Sequence, residues 1–248
     1  MNYCCTLLLI FFIYAVIGWI IEVTLTLFQE KKFINRGFLI GPIVPIYGVG
    51  VVLIHILLNK YSNDPVVLLV MSMFVCGTLE YITSYLMEKI FKNRWWDYSQ
   101  MKFNLNGRIC LEYCVLFGLG GVLSTYLINP YLMPAIFYLP TKLLMIVTSI
   151  LCIIFIGDIC ISFNIIIKLK NISSNINTDS TEVLTKKVRD ILISKTYPYR
   201  RLLQSFPDMK IFNKLTILTD KLKQTRKLIR EEKKKNKKEL FKLLKRKK

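Results

Sequence analysis

The sequence predicts an all-α polytopic membrane protein, with about five transmembrane helices followed by a basic helical cytosolic tail. Three observations carry this. Of 248 residues, 53% are hydrophobic and 21% charged, too apolar a balance for a soluble domain of this size. Stretches of ~18–25 mostly apolar residues, long enough to cross about 30 Å of hydrocarbon, occur five times. The basic residues alternate between the ends of those stretches.

The spans fall at 4–27, 37–58, 65–90, 108–128 and 143–167. The first lacks a basic lead-in and a small-residue cleavage site, so it reads as a retained span. Ahead of it there is no Lys or Arg, whereas the first loop carries Lys31, Lys32 and Arg36 and the second only Lys60. The third loop holds Lys89, Lys92, Arg94, Lys102 and Arg108, the fourth only Lys142, and the C-terminal region is strongly basic. Low and high counts alternate, which predicts a multi-pass protein of the cell membrane with its N-terminus outside and its C-terminus in the cytoplasm. All seven cysteines, Cys4, Cys5, Cys76, Cys110, Cys114, Cys152 and Cys160, lie in predicted spans. They read as small apolar fillers, and without His partners they imply no metal.

Charge divides the chain in two. Residues 1–168 contain 11 Lys+Arg and 8 Asp+Glu, residues 169–248 contain 24 and 8, so 16 of the 19 net positive charges lie in the last third. The first part reads as a transmembrane bundle and the second as a basic cytosolic tail. Within the bundle there is a faint repeat. IYGVGVVL at 46–53 aligns with LFGLGGVL at 116–123; upstream lie NRGF at 35–38 and NGRI at 106–109, and further upstream Gly18 with Glu22 and Gly77 with Glu80. The two copies would run parallel, each a pair of helices, about an axis along the membrane normal. Composition alone also makes Gly-rich apolar helices alike.

Two of three tryptophans fall in NRWWDYS at 93–99. Interfacial aromatics with Arg or Lys would anchor the ends of spans three and four. Asp97 and the polar NLNGR that follows fit a structured loop that also contacts a partner. The tail opens on NISSNINTDS, followed by a predicted helix over 181–194 with Ser180 or Thr181 as N-cap. YPYRRLLQSFPDMKIF and a Lys-rich amphipathic helix complete it. Such a helix suits the anionic inner leaflet, and no specific nucleic acid partner is expected.

Four acids, Glu22, Glu80, Glu112 and Asp158, lie within the spans. A carboxylate in hydrocarbon costs on the order of 2.5–3.5 kcal/mol even on a lenient scale, so each should face the bundle interior or water. All four sit between mid-membrane and the inner face, where Arg36 and Arg108 begin spans two and four. Glu80, Ser84 and Glu88 recur every fourth residue and form one polar stripe on span three, pointing toward NRWWDYS. These residues predict either a polar, cytoplasm-open cavity or a set of interhelical salt bridges. Span two opens with GFLIGPIVPIYGVG, where Pro42 and Pro45 remove backbone donors and Gly41 and Gly48 admit close approach. That predicts a broken helix beside the cavity, or small-residue packing. His55, the lone histidine, reads as incidental. GxxxxGK[ST], HExxH and GxSxG motifs are absent, so no enzyme activity or cofactor is expected and any ATP hydrolysis falls to another chain.

FINRGFLIGPIVPIYGVG at 33–50, EYITSYLMEKIFKNRWWDYS at 80–99 and FNLNGRICLE at 103–112 together resemble the type IV, CmpB-like ABC-transporter permease family of bacterial membrane proteins. The resemblance is good over 18–112 and loose elsewhere, with RRLLQSFP at 200–207 similar to the family's tail. Its recurring positions would fall on Glu22, Arg36, Gly37, Gly41, Pro42, Tyr47, Glu80, Glu88, Trp95, Trp96, Asp97, Tyr98, Asn106, Gly107 and Arg108. It implies a permease subunit served by a separate ATPase, with Arg94, Trp95, Trp96, Asp97 and Tyr98 in the docking loop. The alternatives are a non-transporting scaffold or regulator that binds proteins or anionic lipid, and a lipid-active intramembrane enzyme using Glu80 or Glu112 as base.

Overall fold

The computed structural model describes residues 3–91, 94–174 and 201. Helix α1 spans Tyr3–Glu30, α2 Pro45–Leu58, α3 Pro65–Phe91, α4 Leu111–Leu123, α5 Asn129–Phe137 and α6 Thr141–Ser174. A short antiparallel hairpin, β1 at Asn104–Leu105 and β2 at Ile109–Cys110, precedes α4. A π-helical turn at Ser124–Ile128 joins α4 to α5, so that Leu111–Phe137 acts as one membrane-length element. Four such elements exist among the described residues: α1, α3, α4 with α5, and α6. This bears out the all-α polytopic fold. The tail expectations, including the helices over 181–194 and toward the C-terminus, lie outside the described residues.

Burial is inverted relative to a soluble protein. Phe74, Val66 and Ile153 are largely exposed while Thr6, Ser72, Glu80, Ser84 and Ser162 are buried. Hydrocarbon supplies no hydrogen bonds, so polar groups turn inward and aliphatic ones face lipid. Two apolar clusters hold one end of the bundle, Ile10 and Tyr14 with Ile136 and Leu144, and Ile54 and Leu58 with Leu68. At the other end a ring cluster joins Phe38, Phe91, Trp95 and Phe163, with centroids 5.2–5.8 Å apart.

The second span, expected over 37–58 with a break near Pro42 and Pro45, is helical over only part of that range. Helix begins only at Pro45, and its 14 residues cover about 21 Å at 1.5 Å per residue, short of the hydrocarbon thickness. Residues 31–44 make up the difference as irregular backbone, and Val44 N–H donates to the Ala15 carbonyl midway along α1 (2.9 Å). The expected break is therefore a non-helical stretch that leads into a short helix within one crossing.

The two halves pack alike. A Cβ on Gly48 would strike the backbone carbonyl of Phe11, eleven positions before Glu22. One on Gly118 would lie 2.9 Å from the carbonyl of Leu69, eleven positions before Glu80. Gly37 and Gly107, each eleven positions before its partner glycine, both have positive φ, 115° and 67°. Composition alone does not produce matched backbone contacts, so these pairs support a repeat. Gly118→Ala should cost about 1–3 kcal/mol through overpacking and lower the melting temperature in detergent. Gly120→Ala, where a Cβ meets nothing within 4 Å, should leave it unchanged.

Candidate functional site

From Ile40 to Pro45 every backbone donor of the non-helical segment is accounted for. Asp158 on α6 accepts from Ile40 N–H (2.9 Å) and Gly41 N–H (2.8 Å). Pro42 and Pro45 have no N–H to satisfy. Ile43 N–H closes a tight turn on the Gly41 carbonyl (2.8 Å), and Val44 uses Ala15. Asn35 accepts from Trp19 Nε1 (2.6 Å) and donates to the Ile40 carbonyl (3.0 Å). Arg201, 3% exposed, reaches in from the tail and donates to the carbonyls of Asn35 (3.1 Å) and Gly37 (2.6 Å).

Beside this segment stand two Glu–Tyr pairs. Tyr47 on α2 donates its hydroxyl to Glu22 Oε1 on α1 (2.8 Å), and Arg36 lies 3.9 Å from Glu22 Oε2. In the second half Tyr98 donates to Glu80 Oε1 on α3 (3.0 Å), and Tyr113 on α4 stacks on Tyr98 at 4.7 Å. Burial, then the neighbouring Glu80 carboxylate, hold the Tyr98 phenol well above its ordinary range, which keeps it a donor. Glu80 itself is 5% exposed, and its Oε2 has no hydrogen-bond partner among the described residues.

The polar stripe on α3 faces the NRWWDYS loop. Glu88 lies 2.7 Å from Arg108 Nη1 and 3.6 Å from Arg94 Nε. Arg94 also bonds Asp97 (3.2 Å), whose carboxyl is held below its ordinary range, first by the Ser99 hydroxyl, with the Ser99 N–H and Arg94 adding to it. The loop is zipped to the hairpin: Tyr98 N–H donates to Gly107 O (2.8 Å) and Trp96 Nε1 to Arg108 O (3.1 Å). Asn106 and Gly107 both take positive φ in the turn, as an Asn-Gly type I′ hairpin requires.

Several expected placements change. Glu112 sits on the exposed first turn of α4 and does not line the interior, because the hairpin brings the chain into α4 with that face outward. Arg108 is committed to Glu88 and stacks over Tyr81 and Tyr85, so it does not guard the mouth of a cavity. Asp158 binds backbone. Trp95, 6% exposed, points inward and Tyr98 is turned to Glu80, whereas Asp97 is exposed and Arg94 and Trp96 are half-buried. Ser84 is buried one turn beyond Glu80. All seven cysteines are free, and among the described residues none join a metal-ligand group. At the opposite end of the bundle a cavity of about 400 Å³ is lined by His55, Asn59, Thr125 and Asn129 among others. The roles of Asn35, Tyr113 and Arg201 were missed. Only the Asn-Gly pair, a hairpin signal, and the RRLLQSFP resemblance pointed that way.

Fold and geometry define a class, a polytopic α-helical membrane protein with a broken second span and carboxylates held inside the bundle. Residues 9–163 match the family described as "Putative ABC-transporter type IV", and the chain belongs to that family. No curated protein and no solved structure matches it.

Asp158→Ala should leave two backbone donors bare, at about 1–3 kcal/mol each, and Asp158→Asn, which keeps one carbonyl oxygen, should lose roughly half as much. Melting of the purified protein in detergent should rank wild type above Asn above Ala.

Proposed function

We propose that the chain is the membrane-embedded permease subunit of an ABC-type transporter, carrying a small polar solute through a polar cavity in the inner half of the bilayer. The observation that carries this reading is the placing of two tyrosine-held carboxylates, Glu22 and Glu80, beside non-helical backbone. Irregular backbone at membrane depth is tolerated where it is buried or lines a cavity, and broken helices recur at transporter sites. Arg36 and Ser84 complete the lining. The alternation of basic loops sets the N-terminus outside and the tail in the cytoplasm.

A separate ATPase subunit supplies the energy and docks on the outward face of the NRWWDYS loop through Arg94, Trp96 and Asp97. The basic unit over 169–248 rests on anionic lipid. One observation favours a second reading, a non-transporting scaffold: Arg94, Arg108, Glu88 and Asp97 are already paired with one another, as in a purely structural network.

The tagged chain should be purified in mild detergent and its companions identified by mass spectrometry. A nucleotide-binding subunit should co-purify and be lost on Trp96→Ala or Asp97→Ala while the folded chain is still recovered from the membrane. Envelope or lipid-synthesis proteins in its place would establish the scaffold. Glu80→Gln should abolish transport while leaving folded protein in the membrane, and full activity in that variant would overturn the cavity.

A further inference from the structure

The two Glu–Tyr pairs share one hydrogen bond and differ in charge balance and burial. Glu22 has Arg36 within 4 Å and is partly open. Among the described residues no Lys, Arg or His nitrogen lies within ion-pair distance of Glu80. Its Oε1 takes a neutral phenol, and its buried Oε2 takes nothing. A lone negative charge enclosed in a membrane bundle requires compensation, and neutral donors reduce the penalty without removing the charge.

We infer that Glu80 is a binding site for one positive charge, a monovalent cation or a proton, received at Oε2. The surroundings fit that ligand. Glu22 on α1 lies within electrostatic reach of Glu80 and makes the spot more negative. The other titratable neighbours are neutral oxygens and thiols: Tyr47 on α2, Tyr98 in the loop, Tyr113 and Cys114 on α4, and Cys76 one turn back on α3. Two carboxylates without a third ligating group do not make a divalent site, and among the described residues no larger His/Cys/Asp/Glu group forms. An anion is excluded by the same charges.

The inference names the ligand class of the proposed cavity and rests on that reading for its role. The Tyr98 bond gives occupancy of Glu80 a route outward. A charge arriving on Oε2 weakens the carboxylate as an acceptor for Tyr98, and Tyr98 belongs to the loop assigned to the ATPase.

The test uses the full-length purified chain in detergent. Its melting temperature is read in sodium, potassium and ammonium chloride at constant ionic strength, against the bulky N-methylglucamine salt. Infrared spectra record whether a buried protonated carboxyl is present. A salt that raises the melting temperature of wild type and of Glu30→Gln, but not of Glu80→Gln, identifies a metal or ammonium ion. Indifference to salt, with a carboxylic-acid carbonyl band that Glu80→Gln loses, identifies a proton. If Glu80→Gln does not fold, Glu80→Asp, which keeps the charge, must retain a weakened version of whichever signal wild type gives. Indifference to every salt together with no acid band attributable to Glu80 overturns the inference. Binding is read without transport, so a chain that binds the cation and moves no solute retires the permease reading alone.

Discussion

Backbone that leaves the helix inside a membrane must find a partner for every donor, and residues 40–45 meet that demand with a carboxylate from α6. Asp158 takes two N–H groups, two prolines delete two more, and the remaining pair close on nearby carbonyls. The rest of the bundle follows from this clamp. It fixes where α2 starts, and with it the height at which Tyr47 meets Glu22. It also sets the position of Phe38, whose ring joins Phe91, Trp95 and Phe163 and ties the NRWWDYS loop to the same end.

Aligned on Gly48 and Gly118, the two halves show common features and a divergence. Glu22 and Gly37 are 15 positions apart, Glu80 and Gly107 are 27, so the second copy carries 12 extra residues before its glycine. Those residues hold most of NRWWDYS. In the first half, the tyrosine that serves the acid comes from the following helix. In the second it comes from the inserted loop, since the position matching Tyr47 is Phe117. The same chemical need, a hydroxyl on a carboxylate within the bundle, is met from a different part of the chain.

Much of this was legible in the residues. Hydropathy placed the four membrane-length helices because the bilayer sets how long a helix must be to cross it. The prolines and glycines of 37–50 announced a break because their chemistry is local. The stripe of Glu80, Ser84 and Glu88 pointed at the correct loop because helical periodicity fixes direction. What stayed hidden depends on distant partners. Nothing near Asp158 says that its oxygens will meet backbone 118 positions earlier, and nothing near Arg201 says that it will reach Asn35. Glu112 was assigned inward because position along a helix gives depth but not facing, which the Asn106-Gly107 turn decides.

The clamp also ties the completion of the second crossing to the end of the bundle. Asp158 lies 118 and 117 positions after the two donors it serves, so the group that satisfies Ile40 and Gly41 is synthesised only with α6, after spans three and four. The second crossing made is complete only once the last described span is in the chain.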